Sequence, residues 1–148
     1  DSFRVSALAI PRLNILGASD RIVTIAAMMN AVGVKLESRL SQATDIANLP
    51  ALRTALADYA AKIADAGSEA QAAVALIAPL APDGGDKDKM TANRAVIKDA
   101  RAKIVAAHKS LVDARKDADT VIKALVKYDK IAMKTATSTT ATTSTSTP

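Results

Sequence analysis

The chain has 148 residues, 49% of them hydrophobic, and a formal charge of +5. That length suits one domain with a real core, and the absence of Cys excludes a disulfide framework, a thiolate metal site and a Cys nucleophile. Phe3, Tyr59 and Tyr128 are the only aromatics, so the core must come from Ala, Leu, Ile and Val on closely packed helices.

The apolar spacing predicts a first helix over residues 3–43, with a seam of Leu8, Ile15, Ala18, Ile22, Ile25, Met29, Val32 and Leu36. Pro11 falls inside it and predicts a kink or break near Ala9 and Ile10. Gly17 and Gly33 weaken it locally, by about 1 kcal/mol each against Ala. The longest uncharged run, residues 22–34, is thirteen residues long. A transmembrane helix needs about twenty, so no membrane span is expected.

A second helix is predicted over residues 50–78. Pro50 suits the first helical position, with Asn48 or Leu49 as cap. Its seam reads Leu52, Leu56, Tyr59, Ile63, Ala66, Ala70, Ala73 and Ile77, and Pro79 and Pro82 stop it. The stretch 78–91, APLAPDGGDKDKMT, reads as a polar loop. Its Asp83, Asp86 and Asp88 lack the order of a calcium loop, since the glycines come first and no closing Glu follows. Asp88 or Thr91 is better used as a helix cap.

The third helix is predicted over residues 92–134, with a seam of Ile97, Ala100, Ile104, Ala107, Leu111, Ala114, Ala118, Val121, Leu125 and Tyr128. Large residues alternate with Ala along it, which lets two backbones approach closely. His108 lies one position past the seam, at a helix flank. It has no Cys or second His with which to share a metal. Residues 135–148 then form a tail in which eleven of fourteen positions are Thr or Ser. Such a tract favours extended structure over helix and cannot bury a core.

The expected fold is therefore all-α: an up-down-up bundle of three long antiparallel helices with an Ala-rich seam over residues 1–134, and an extended Thr/Ser tail over 135–148. At 1.5 Å per residue the helices measure roughly 60, 42 and 64 Å. The middle helix is too short to cover its neighbours. The first should overhang around residues 5–16 and the third around 121–133, and both stretches are apolar. Exposed apolar patches of this kind point to a partner. Leu8, Ile10 and Leu13 at one end, with Ile122, Leu125 and Val126 at the other, are the candidate subunit interface. Two different surfaces would then pair, giving rings or open filaments. The alternative is that the first helix folds back at Pro11 and covers its own end.

Charge is concentrated in the third helix, where eleven Lys or Arg face five Asp between Thr91 and Lys134. Lys98, Arg101, Lys109, Arg115, Lys116 and Lys123 are the candidate face for an anionic partner such as a cell-surface polymer. The alternative is a solvated face with helical pairs such as Asp113–Lys116 and Asp119–Lys123. Nucleic acid is disfavoured, because no aromatic platform or recognised nucleic-acid motif accompanies the cations. No defensible Ser–His–Asp spacing, phosphate-binding glycine loop or paired metal ligands exist, so the expectation is a non-enzymatic protein with no cofactor.

The stretch SFRVSALAIPRLNILGASDRI, residues 2–22, resembles a segment of uncharacterised, exported helical-bundle proteins of candidate-phyla bacteria with small genomes. The match lies at Ser2, Phe3, Arg4, Val5, Ala7, Leu8, Pro11, Ile15, Leu16, Ala18, Asp20 and Arg21. Residues 78–87 and 100–125 are similar to the loop and last helix of the same proteins. The resemblance implies an extracellular or envelope location and a chain that corresponds to the C-terminal part of a longer precursor. It implies no activity and no catalytic residues. In such a setting Thr135, Thr137, Thr139, Thr140, Thr142, Thr143, Thr145 and Thr147 are candidates for O-glycosylation or for bridging to a neighbouring subunit. The leading functional reading is an exported structural or interaction protein that self-assembles end to end. The alternative is a binding module whose basic third helix engages an anionic partner.

Overall fold

The computed structural model describes the backbone of residues 2–141 and the side chains of residues 8–137. It contains three helices, α1 (Ser2–Gln42), α2 (Leu49–Ile77) and α3 (Lys87–Ala141). They pack as the expected up-down-up bundle. The α2–α3 interface is the most extensive and the α1–α3 interface the least.

The seams of α2 and α3 fall where periodicity places them. All eight positions from Leu52 to Ile77 are buried, and those of α3 are buried except Ile104 and Tyr128, which are half-buried. Ala66, Ala70, Ala73, Ala100, Ala107 and Ala114 have no exposed surface, so the two backbones meet over methyl groups. Lys62–Asp117 at 2.6 Å and Lys103–Glu69 at 3.0 Å flank this contact.

The buried stripe of α1 departs from the expected one. Ser19 and Ala26 turn inward, while Ile25 and Val32 remain outside. The cause is the Ala surface of α2. Ser19 is 4% exposed and donates its hydroxyl to the Ala70 carbonyl at 3.2 Å, which satisfies it inside the interface. Farther along, the Tyr59 ring lies against Gly33, and its hydroxyl donates to the Met29 carbonyl. A Cβ at position 33 would stand 2.9 Å from Tyr59 Cε1, so this glycine is what admits the ring.

Three expected boundaries move. The helix does not break at Pro11. Leu8 and Ile15 are buried on either side of it, and the Arg12 guanidinium donates to the Leu80 and Ala78 carbonyls at 3.0 and 3.4 Å. Tertiary contacts thus hold the turn that proline weakens. At the start of α3 the cap is Asp86 rather than Asp88 or Thr91. Its Oδ1 accepts from the backbone N–H groups of Asp88 and Lys89 at 2.9 and 3.2 Å. At the far end α3 continues through Ala141 instead of becoming extended at Thr135. The Thr135 and Thr137 hydroxyls donate to the carbonyls of Ile131 and Met133, four residues back, at 3.0 and 2.9 Å. These bonds satisfy the hydroxyls within the helix at only a slight cost to it, and extending a formed helix avoids the cost of nucleation.

The overhangs are shorter than helix lengths suggest, because both loops add cover. Ala43 and Ile46, in the first loop, are buried in one core with Val121 and Leu125. Leu80, in the second, packs on a core that contains Leu8, Ile15, Ala73, Ile77 and Ile97. The first of these ends is clasped by the bidentate Arg39–Asp129 pair, at 2.8 and 2.9 Å, and by the Tyr128 hydroxyl donating to Asp45 at 2.6 Å.

Within Leu8–Gln42 the most apolar eighteen-residue stretch has a mean hydropathy of 1.3, and 22% of it is buried in the bundle. By length and composition α1 is long and apolar enough to cross a membrane. The expectation of no span rested on an unbroken uncharged run, a criterion that understates how apolar this helix is.

Candidate docking surfaces

The two ends of the bundle sort the six residues expected at a subunit interface. Leu8 and Leu125 are 8% and 6% exposed and belong to the cores, so their place in that interface is corrected. Ile10 and Leu13 stand outside at one end, 59% and 66% exposed. Ile122 and Val126 are 40% and 47% exposed on α3. Beyond them the side chains of residues 131–137 are all exposed, and Ile131 and Met133 project at 58% and 71%. This projecting turn, rather than the stretch from Val121, is the real overhang of α3.

A second surface follows the seam between α1 and α3, the least extensive of the three helix interfaces. Midway along it lies a groove of about 510 Å³. Tyr59, Leu111 and Ala118 form its floor, Ile25, Met29 and Val32 its α1 wall, and Val112 and Ile122 its α3 wall. His108, Arg115 and Asp119 supply the polar rim. Burial raises the Tyr59 phenol above its ordinary range, so the floor stays uncharged. Nearer the start of α3 is a cleft of about 280 Å³ lined by Pro11, Ile97, Arg94, Lys98 and Arg101.

The structure divides the six cations expected on one anionic-partner face. Lys98 and Arg101 converge with Arg94 on the smaller cleft, and none of the three makes an ion pair among the described residues. Arg115 stands on the rim of the groove, also without an ion pair among the described residues. Lys109 and Lys116 share Asp113 at 2.7 and 2.8 Å, so the expected Asp113–Lys116 pair is present and both cations are partly neutralised. The carboxyl of Asp113 is held down to about 2 by these two hydrogen bonds. Lys123 is exposed and makes no ion pair with Asp119, the one acid among the described residues of the groove.

Arg94, Pro11 and His108 lie off the expected seams, whereas Ile25 and Val32 belong to the expected α1 seam and wall the groove instead of entering the core. The available signal was a second row beside the core seam. On α3 it begins Arg94, Lys98, Arg101, Val105 and continues in steps of three and four to Val126. On α1 the corresponding row passes Pro11, Ala18, Arg21, Ile25, Met28, Val32 and Lys35.

The loop acids serve the backbone. Asp83 accepts from the Gly85 N–H at 2.8 Å, and Asp86 caps α3. Among the described residues no three His, Cys, Asp or Glu side chains gather as a metal site. Of the tail threonines, Thr135 and Thr137 are exposed on the helix. The side chains of Thr139 and Thr140, and all of Thr142, Thr143, Thr145 and Thr147, lie outside the described residues.

No protein-family model, no curated protein and no solved structure matches this chain.

Proposed function

We propose that this protein is a non-enzymatic structural subunit that assembles head to tail, one end of the bundle against the other end of the next copy. The observation that carries the reading is the pair of unlike apolar ends. Ile10 and Leu13 face outward at one, and Ile131 and Met133 project from α3 at the other. Covering such side chains removes apolar area from water at about 25 cal/mol per Å². Because the two surfaces differ, the contact is heterologous and propagates as a ring or a filament rather than closing as a two-fold dimer. The resemblance of residues 2–22 to exported helical proteins supports a place at the envelope or outside the cell.

The test is mass against concentration by sedimentation. The wild-type chain should grow with concentration. Leu13→Asp and Met133→Asp should each be monomeric while keeping the melting temperature, since neither side chain is in a core. Wild-type protein that stays monomeric across a wide concentration range would remove the reading.

A second reading, engagement of an anionic partner by α3, is favoured by one observation. Arg94, Lys98 and Arg101 line a single cleft, and among the described residues they make no ion pair and no acid joins them in its lining.

A further inference from the structure

The α1–α3 face combines two properties that seldom share one surface. It is cationic: among the described residues, those lining its cleft and groove include Arg94, Lys98, Arg101 and Arg115 against the single acid Asp119. The adjoining α1 row adds Arg21 and Lys35, both exposed, and no acid. It is also apolar. Met28 and Val105 protrude at 65% and 69% exposure, and Ile25, Val32 and Val112 stand at 43–44%.

Each property alone would admit several occupants, and together they narrow the choice. A polyanion in water would satisfy the cations and leave the apolar row wet. A second copy docked on the same face by a two-fold axis would set the cations against themselves, and like-charge juxtaposition costs several kcal/mol. A neutral apolar partner would bury the cations without counter-charge. An anionic bilayer surface meets both demands, because headgroup phosphates lie beside the acyl boundary. Helices that rest in this interface place Lys and Arg at the headgroups and bury apolar side chains about 5–10 Å deep.

The arrangement along the seam suits that depth. On α1, Ile25, Met28 and Val32 lie between Arg21 and Lys35, which are fourteen residues or roughly 21 Å apart. The 22–34 segment between them carries no charge. On α3 the cleft lined by Arg94, Lys98 and Arg101 also takes in Pro11 of α1, so three cations border one site that a headgroup phosphate can enter. We propose that the α1–α3 face is a docking surface for an anionic lipid bilayer, with Arg94, Lys98 and Arg101 holding headgroup phosphates and Ile25, Met28, Val32, Val105 and Val112 entering the acyl boundary. The proposal rests on the anionic-partner reading and names the partner. It is independent of the end-to-end contact, which uses other side chains.

The experiment is co-sedimentation of the full chain with vesicles of phosphatidylcholine, with and without phosphatidylglycerol, alongside retention on immobilised heparin. Binding should require phosphatidylglycerol and weaken with added salt. Arg94→Gln and Arg101→Gln together should reduce partitioning about 25-fold, near fivefold per cation removed. Met28→Asp should reduce it further at unchanged charge on the cleft. Arg53→Gln with Lys89→Gln removes the same charge elsewhere and should have no such effect. Equal binding to neutral vesicles, or equal loss in the two double variants, overturns the proposal. Retention on heparin without vesicle binding overturns the lipid assignment and leaves the anionic-partner reading standing. Binding to neither removes both.

Discussion

At the level of single residues, glycines within the helices have opposite roles. Gly33 is closed in by Tyr59, which is 2% exposed and tethered through its hydroxyl to the Met29 carbonyl. The ring cannot swing away from a new methyl group. Gly33→Ala should therefore lower stability by up to about 2 kcal/mol, because overpacking of about 1–3 kcal/mol outweighs the gain of about 1 kcal/mol in helix propensity. At Gly17 and Gly67 an added Cβ would meet nothing within 4 Å. Gly17→Ala should raise stability by up to about 1 kcal/mol, and urea unfolding of the two variants at 17 and 33 checks the opposite signs. Local spacing marks Gly17 and Gly33 alike as helix weaknesses, because a long-range neighbour such as Tyr59 leaves no trace in it. Asp113 offers a pH test. Its folded value, about 2, lies below the ordinary carboxylate range. The Lys109–Asp113–Lys116 cluster therefore contributes fully above about pH 4, and its contribution is lost as pH falls through about 2. Asp113→Asn should flatten that part of the acid limb in a series of melting temperatures and leave neutral-pH unfolding cooperative. An acid limb unchanged by the substitution would show that the two lysines do not hold the carboxylate.

Among the elements, α2 and α3 are legible in the sequence and α1 is not. Each position named on the α2 seam is buried, because its outer face is polar or Ala and the large apolar residues mark one stripe. Helix α1 is apolar around most of its circumference over 22–34, so periodicity selects no unique stripe there. The choice is made by the partner surface: Ser19 bonds to Ala70, Ala26 is buried in one core with Ala66 and Ala70, and the bulkier Ile25 and Val32 remain outside. That interface leaves no room for bulk. Ala70→Leu should cost about 1–3 kcal/mol by displacing two helices at once, read as a lower urea midpoint. A neutral result would mean that α1 and α2 are not in contact at Ser19. The end of α3 escapes propensity for a related reason. Thr and Ser are poor helix formers on average, but Thr135 and Thr137 follow a long formed helix and bond back to it.

For the whole molecule, helix lengths alone locate the unsatisfied ends but overstate them. Loop residues such as Ile46 and Leu80 cover Leu125 and Leu8, and no rule of periodicity shows a loop doing so. What remains outside is smaller and unlike at the two ends: Ile10 and Leu13 at one, Ile131 and Met133 at the other. The cations of the cleft and the polar rim of the groove lie in rows beside the α3 seam, and the α1 wall of the groove exists because Ile25 and Val32 of the expected seam face outward. Pairing of the unlike ends is tested most sharply by sedimentation of an equimolar mixture of Leu13→Asp and Met133→Asp. One variant keeps the projecting α3 end and the other keeps the Ile10–Leu13 end, so together they retain one intact contact. Each variant alone should be monomeric, and the mixture should form a heterodimer and grow no further. A mixture that stays monomeric while the wild type assembles would contradict head-to-tail pairing, as would single variants that assemble as the wild type does.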